Sequence, residues 1–116
     1  MLEVFHYPKC STCKKAIRWL EARGIEHRLV DIVEKPPSAS KLKLALKQSG
    51  HPVAKFFNTS GQSYRAGGFK ALLASMSEAE ALGALASDGK LIKRPLIFGD
   101  GFVLVGFREA DYAARL

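Results

Sequence analysis

The spacing of apolar and polar positions predicts a β-α-β unit in the first third of the chain. Residues 2–7, "LEVFHY", contain β-branched and aromatic side chains that favour a strand. From residue 11 to residue 23 the apolar residues recur at helical spacing, with Cys13, Ala16 and Leu20 on one face. "IEHRLVDIV" then predicts a second strand. A strand, a helix and a strand in so few residues imply a parallel pair joined by a right-handed crossover.

Residue types at the ends of the predicted helices support these boundaries. Ser11 or Thr12 is expected to cap the first helix, and Gly24 is expected to end it at the C′ position. A helix-rich block follows the second strand over roughly residues 38–89. Within it, Ser77 and Glu80 form a capping box for the last helix, and Gly89 is expected to end that helix.

Strand character returns with "RPLIFGDGFVLVGF", in which "GDG" indicates a hairpin, and "READYAARL" predicts a short final helix. Without the middle block the order is β-α-β-β-α, a parallel pair joined to an antiparallel hairpin. We therefore predict an α/β protein with a thioredoxin-like, glutaredoxin-type core. Its mixed four-stranded sheet would carry a helical insertion after the second strand. The 116 residues are expected to form one domain.

Composition narrows the function classes only slightly. The formal net charge of +7 favours anionic partners, although the 18 Lys and Arg residues are spread along the chain. No nucleic-acid reader motif is present, so direct nucleic-acid binding is not expected. No secretory signal or membrane span is visible, so we expect a soluble, cytoplasmic protein that does not bind membranes. In that compartment a cysteine pair is more often reactive or metal-binding than a structural disulfide.

The candidate chemistry lies in "YPKCSTCKKA", which holds Cys10 and Cys13. Cys10 is predicted at the N-terminal edge of the first helix, where free amides and the helix dipole favour a thiolate. Lys9 and Lys14, together with Lys15, would lower its pKa further. The same amides could bind an oxyanion. Cys13, one turn further on, is expected to be more buried and able to resolve an adduct on Cys10 as a disulfide.

Two less reactive interpretations remain open for this pair. Buried cysteines can serve as small apolar side chains with no chemistry. A structural zinc site would need two more ligands, and His6, His27 and His51 do not stand at a paired ligand spacing. No metal site and no bound cofactor are therefore predicted.

The segment "YPKCSTCKKAIRWLEARGIEHRLVDIVEKPPS" resembles the first signature of the arsenate reductase-like (ArsC/Spx) family of thioredoxin-like proteins. "LASDGKLIKRPLIF" resembles its second, and the compact length with "FFNTSG" is most similar to an Spx-related branch. The resemblance implies that Cys10 is the nucleophile, that Arg94 binds the oxyanion, and that Pro95 is a cis proline beside the active cysteine. It also implies glutathione with a glutaredoxin or thioredoxin as the reductant.

The chain departs from the reductases of this family at several positions. Of their three anion-binding arginines, one aligns with Arg94, while the others align near Asn58 and Gly106; Arg65 is a candidate replacement. Those reductases usually have one active-site cysteine. The Cys10–Cys13 pair resembles that of Spx-type regulators, in which it modulates binding to the RNA polymerase α-subunit, and Gly50 lies near their interface glycine.

We therefore expect a thiol-dependent oxidoreductase acting on an arsenate-like oxyanion or a disulfide. Cys10 would be the nucleophile, Cys13 or glutathione the resolving thiol, and Arg94 the anion-stabilising residue. Candidate substrate-binding residues are Lys9, Ser11, Thr12, Lys14, Asn58 and Pro95. The alternative is an Spx-like redox-sensing regulator of RNA polymerase that uses the same pair. The protein is expected to be monomeric.

Overall fold

A computed structural model describes all residues from Met1 to Leu116. Its centre is a four-stranded sheet in the order β2-β1-β3-β4. The strands are β1 (Leu2–His6), β2 (His27–Asp31), β3 (Leu96–Phe98) and β4 (Val103–Val105). β1 runs parallel to β2 and antiparallel to β3, and β3 and β4 form an antiparallel hairpin. The predicted mixed sheet, with its parallel pair and its hairpin, is confirmed.

The first helix, α1 (Ser11–Ala22), ends as its sequence predicts but begins differently. Gly24, with φ of +63°, donates to the Glu21 carbonyl at 3.1 Å, and Ile25 donates to the Leu20 carbonyl at 3.0 Å, which together make a Schellman ending. The N-cap is neither Ser11 nor Thr12, so that prediction was wrong. Cys10 is extended (φ −90°, ψ 118°), and its sulfur accepts the Cys13 N–H.

The two faces of the sheet are buried against different helices. On one face the buried residues come from the sheet, from α1 and from α6 (Glu109–Arg115): Leu2, Val4, Ala16, Trp19, Leu20, Ile97, Leu104 and Tyr112. On the other face a core of 14 buried residues joins Phe5, Leu96, Phe98 and Val103 to the middle of the chain. Because side chains alternate along a strand, β1 and β3 contribute to both cores.

The predicted helical insertion after the second strand is confirmed and spans the helices from Ala39 to Leu91. It comprises α2 (Ala39–Ser49), α3 (Gln62–Ala66), α4 (Phe69–Leu72) and α5 (Glu78–Ser87), with 3₁₀ turns at Val53–Phe56 and Gly89–Leu91. No helix of the protein is both long enough and apolar enough to span a membrane.

For α5, the last helix of the insertion, the predicted start is confirmed and the predicted end was wrong. The capping box of Ser77 and Glu80 is formed, with both reciprocal hydrogen bonds present. Gly89, however, is not the residue that stops α5, because the helix ends at Ser87 and Gly89 lies in the following 3₁₀ turn. Gly89 instead allows the turn to pack closely against Ile32, because a Cβ at this position would lie 1.9 Å from the Ile32 carbonyl oxygen.

Candidate active site

Cys10 lies where the loop after β1 enters α1. Its backbone N–H donates to the Tyr7 carbonyl at 2.9 Å, which closes a tight turn before the helix. Its Sγ accepts the backbone N–H of Cys13 at 3.4 Å and is only partly buried. The sulfur therefore occupies the N-cap position, where the unpaired amides and the dipole of α1 favour a negative charge.

Cys13 lies one turn further along α1, behind Cys10. Its side chain is fully buried, and its Sγ accepts the Tyr7 N–H at 3.5 Å. Both cysteines are free thiols. The predicted difference in burial between the two cysteines is confirmed.

The two thiols have pKa values that are shifted in opposite directions. Partial burial acts to raise the pKa of Cys10, but the Cys13 N–H, the Cys13 thiol and the Arg94 guanidinium outweigh it and lower that pKa. Burial raises the pKa of Cys13 to about 12, and a charge on Cys10 adds to the increase. At neutral pH Cys10 is thus the more nucleophilic sulfur.

Arg94 lies beside the cysteine pair, immediately before β3. Its guanidinium carbon lies 5.0 Å from the centre of the Tyr7 ring, and Nη1 donates to the Lys90 carbonyl at 3.3 Å. Its Nε is buried and has no hydrogen-bond partner in the protein. The Arg94–Pro95 peptide bond is cis, as the family resemblance implied, and Pro95 is buried behind the site.

Cys10 opens onto a cleft of about 560 Å³ between α1, the insertion and the segment after β4. Among its lining residues are five cationic side chains, Lys9, Lys55, Lys93, Arg94 and Arg108. The one carboxylate there is that of Asp111, whose Oδ2 lies 3.8 Å from Nε of Arg108. The cleft therefore has a strong excess of positive charge next to a sulfur that favours the thiolate form.

The structure brings most of the predicted substrate-binding residues to this cleft. Lys9, Ser11, Thr12 and Asn58 line it, together with Cys10 and Arg94. Pro95 is buried behind the cleft and does not line it. Lys14 is exposed on α1 and does not line the cleft.

One of the two positions aligned with the missing arginines, Gly106, has a structural explanation. Gly106 has φ of +75°, a backbone conformation that favours glycine, and its N–H donates to the Pro95 carbonyl at 2.8 Å. Arg65 is not a replacement in this structure, since it lies outside the cleft and its Nη2 donates to the Ser60 carbonyl at 2.7 Å.

Sequence reasoning missed three of the cleft cations, Lys55, Lys93 and Arg108. They come from the insertion, from the segment before β3 and from the segment before α6. Arg108 could have been noticed, since it is the next arginine after Gly106.

No part of the protein brings together three or more histidine, cysteine or acidic side chains in a metal-binding arrangement.

A mixed sheet with a Cys-x-x-Cys pair at the N-terminus of α1 and a cis proline beside it defines a thioredoxin-like protein. The model of one family within that class, the ArsC family, matches residues 5–115, and the chain belongs to this family.

Relatives of the chain carry names of two functional kinds. It is 50% identical over 111 residues to the uncharacterized protein YusI of Bacillus subtilis, covering 96% of this chain and 94% of that one. It is 28% identical to an arsenate reductase of Neisseria meningitidis, over 90% of this chain and 89% of that one. It is 22% identical to the global transcriptional regulator Spx of Lactiplantibacillus plantarum, over 96% of this chain and 83% of that one.

Solved structures agree closely with this fold. An ArsC-family-related protein of Bacteroides fragilis superposes with a TM-score of 0.95 at 42% identity, over 97% of this chain and 95% of that one. A Streptococcus mutans protein named a possible arsenate reductase superposes with a TM-score of 0.90 at 46% identity, over 97% and 98% of the two chains. The predicted thioredoxin-like fold is thus confirmed.

Proposed function

We propose that this protein is a thiol-dependent oxidoreductase in which Cys10 attacks an oxidised centre of an anionic substrate. One observation carries the proposal: Cys10 alone of the two thiols opens onto the cationic cleft, and its pKa is lowered while that of Cys13 is raised. An inert, apolar cysteine pair would not need a cation beside the more exposed sulfur. The proposed setting is the reducing cytoplasm, where reduced thiols can be regenerated.

In the first step the Cys10 thiolate forms a bond to the oxidised atom of the substrate and a leaving group departs. For a disulfide the leaving group is one thiolate; for an arsenate-like oxyanion it is hydroxide, which leaves as water after protonation. Arg94 stabilises the anion that enters or leaves, because its cation lies at the sulfur and its Nε has no other acceptor. Free amides at the start of α1, near Ser11 and Thr12, contribute in the same way.

In the second step a second thiol attacks Cys10 Sγ and expels the reduced product. Two thiols are then oxidised to one disulfide, and the substrate has accepted two electrons. Cys13 is the nearest candidate, since its backbone N–H already contacts Cys10 Sγ at 3.4 Å. Once Cys10 carries an adduct, its negative charge no longer raises the pKa of Cys13, which favours deprotonation at that moment. Glutathione is the alternative resolving thiol, and glutathione with a glutaredoxin or thioredoxin would restore the dithiol.

A regulator that reads redox state through the same pair is the second candidate. The observation that favours it is the burial of Cys13 directly behind Cys10, which allows the pair to form a disulfide when a peroxide takes up the two electrons and two protons. Relatives named Spx support this candidate, and its partner would be the RNA polymerase α-subunit. In this case the disulfide itself is the signal.

A coupled assay separates the two candidates. The reduced protein is incubated with glutathione, glutathione reductase, glutaredoxin and NADPH. After addition of arsenate or of a small disulfide, turnover is taken as the NADPH oxidation above that of the same mixture without the protein. Wild type is compared with Cys10→Ser and Cys13→Ser. For the oxidoreductase, Cys10→Ser abolishes turnover. Cys13→Ser abolishes it only if Cys13 is the resolving thiol, and otherwise leaves it to glutathione.

Absence of turnover with both substrates would overturn the enzymatic proposal. If mass spectrometry with thiol trapping then shows a reversible Cys10–Cys13 disulfide, and reduced and oxidised protein differ in binding to the α-subunit, the regulator is supported. Turnover that persists in Cys10→Ser would exclude Cys10 as the nucleophile in either case.

A further inference from the structure

We infer that the cleft beside Cys10 binds a small disulfide whose substituents carry carboxylates, rather than a compact oxyanion alone. The inference rests on the proposed function, because it names the substrate class of the same site. It is carried by two features of the cleft, its size and the distribution of its charged side chains.

The cleft is much larger than a tetrahedral oxyanion requires. Its volume of about 560 Å³ lies within the range of roughly 300–1,000 Å³ that is usual for small-molecule sites. An oxyanion of five heavy atoms needs on the order of 100 Å³, by comparison with about 30 Å³ for one water molecule. A disulfide with a substituent on each sulfur would use the remaining space.

The cations of the cleft come from separate segments of the chain. Arg94 is the cation whose guanidinium interacts with Cys10. Lys55 lies on the 3₁₀ turn of the insertion, Lys93 precedes Arg94, and Arg108 precedes α6. A compact anion at the sulfur is small enough to contact only a few of these cations, whereas carboxylates on the arms of a disulfide can pair with cations from several segments.

The excess of cations at the cleft exceeds what the composition alone would give. The chain has 18 basic and 11 acidic residues, but five basic residues line the cleft against one acidic residue. That acidic residue, Asp111, is in turn close to Arg108. The cleft is therefore somewhat more cationic than the chain as a whole, which favours anionic substrates.

The step is a thiol–disulfide exchange. The Cys10 thiolate bonds to one sulfur of the substrate, the substrate disulfide breaks, and one product thiolate leaves and takes a proton from solvent. Cys13 then attacks Cys10 Sγ, a second product thiol leaves, and the protein holds a Cys10–Cys13 disulfide. The protein dithiol has lost two electrons and two protons, and the substrate has gained them.

Three small disulfides of similar length and different charge test the inference: dithiodipropionate (anionic), bis(2-hydroxyethyl) disulfide (neutral) and cystamine (cationic). Single-turnover rates of protein thiol loss are measured by acid quench and mass spectrometry. Each rate is divided by that of free mercaptoethanol with the same disulfide, which removes differences between leaving groups. We expect the normalised rate to be about tenfold higher for the anionic than for the cationic disulfide at low salt. The preference should shrink as salt increases from about 0.02 M to about 0.5 M.

Charge-removing variants assign the preference to the cleft. In Lys55→Gln, Lys93→Gln and Arg108→Gln the ratio of anionic to neutral rates should fall about two- to fivefold each, since each removes one cation from the substrate path. Lys43→Gln on α2 is the matched control, because Lys43 is an exposed lysine outside the cleft and its removal changes the net charge equally. Its ratio should match that of wild type.

Equal normalised rates for the three disulfides would overturn the inference and leave the proposed oxidoreductase intact. So would turnover of arsenate by a protein that reacts with these disulfides no faster than a free thiol does. An equal loss of preference in Lys43→Gln would assign the effect to net charge and not to the cleft. Inertness of Cys10 toward every substrate would instead overturn the proposed function itself.

Discussion

Arg94 is placed by contacts that do not involve the cysteines. The Tyr7 ring faces its guanidinium at 5.0 Å, and the Lys90 carbonyl accepts from Nη1 at 3.3 Å. These contacts hold the cation beside Cys10 while Nε stays buried and free of protein acceptors. A fixed cation with an unused donor stabilises an anion at the sulfur without the reorganisation that a mobile lysine would need.

Replacing Arg94 with glutamine should therefore raise the pKa of Cys10. Because the thiolate is the reactive form, the rate of Cys10 alkylation by iodoacetamide at pH 7 should fall about fivefold, the effect of roughly 1 kcal/mol of lost charge attraction. The full pH–rate profile should move to higher pH. Arg65→Gln is the control, since Arg65 lies outside the cleft and should leave the profile unchanged. A profile unchanged in Arg94→Gln would show that the helix amides alone set the pKa.

For single residues, the sequence predicted the difference in burial between the two cysteines correctly but did not predict the local geometry of the helix start. The asymmetry between Cys10 and Cys13 follows from helix position and was predicted. The N-cap was assigned to Ser11 or Thr12 because hydroxyls cap better than thiols, yet the chain uses the Cys10 sulfur itself. That choice has a functional consequence, because the capping atom and the nucleophile are the same atom.

Among the secondary structure elements, the Gly89–Leu91 turn packs closely against the residues that follow β2. Gly89 is buried against the backbone of Ile32 and Val33. This contact fixes the end of the insertion just before the segment that carries Lys93 and Arg94. The position of the cationic residues therefore depends on a glycine whose lack of a side chain allows the approach.

Gly89→Ala should destabilise the protein by about 1–3 kcal/mol, the usual cost of overpacking, because its Cβ would lie 1.9 Å from the Ile32 oxygen. Gly83→Ala is the matched control. Gly83 is exposed within α5 and a Cβ there meets nothing within 4 Å, so alanine should stabilise the helix by about 0.5–1 kcal/mol. Urea unfolding at pH 7 measures both changes. Equal effects of the two substitutions would contradict this account of the packing.

Local signals predicted the elements themselves well. The capping box of α5, the Gly24 ending of α1 and the "GDG" hairpin each depend on residues close together in sequence. The function of Gly89 could not be predicted, because its neighbour Ile32 is 57 residues away along the chain. For the same reason Lys55 and Arg108 were missed: no local pattern shows which distant segments meet.

In the molecule as a whole, the cleft forms where the insertion meets the segments of the thioredoxin-like core. The insertion is held on the sheet by the 14-residue core, and a polar link at its edge adds to this. In that link Glu3 of β1 pairs with Arg28 of β2 and with Lys41 of α2. The Lys41 ammonium also lies 4.8 Å from the centre of the Phe98 ring, so α2 is attached to the sheet by both ionic and aromatic contacts.

Glu3 should make the docking of the insertion pH-dependent. Burial acts to raise the pKa of Glu3, but the hydrogen bonds and charges of Lys41 and Arg28 outweigh it and hold that pKa below its ordinary value of 4.5. A carboxylate with a lowered folded-state pKa adds stability that is fully present above the ordinary value. That stability is lost as the pH falls through the folded-state pKa.

Glu3→Gln should therefore lower the free energy of unfolding at pH 7 by about 1 kcal/mol, the scale of a charged hydrogen bond that stays partly exposed. The difference from wild type should shrink as the pH falls below 4.5, because wild type then loses the same charge. Urea unfolding of both proteins at several pH values between neutral and strongly acidic measures this. Glu26→Gln, which removes an exposed carboxylate that forms no ion pair, is the control and should track wild type at every pH. A difference for Glu3→Gln that stays constant with pH would show that the substitution acts through packing and not through the charge of Glu3.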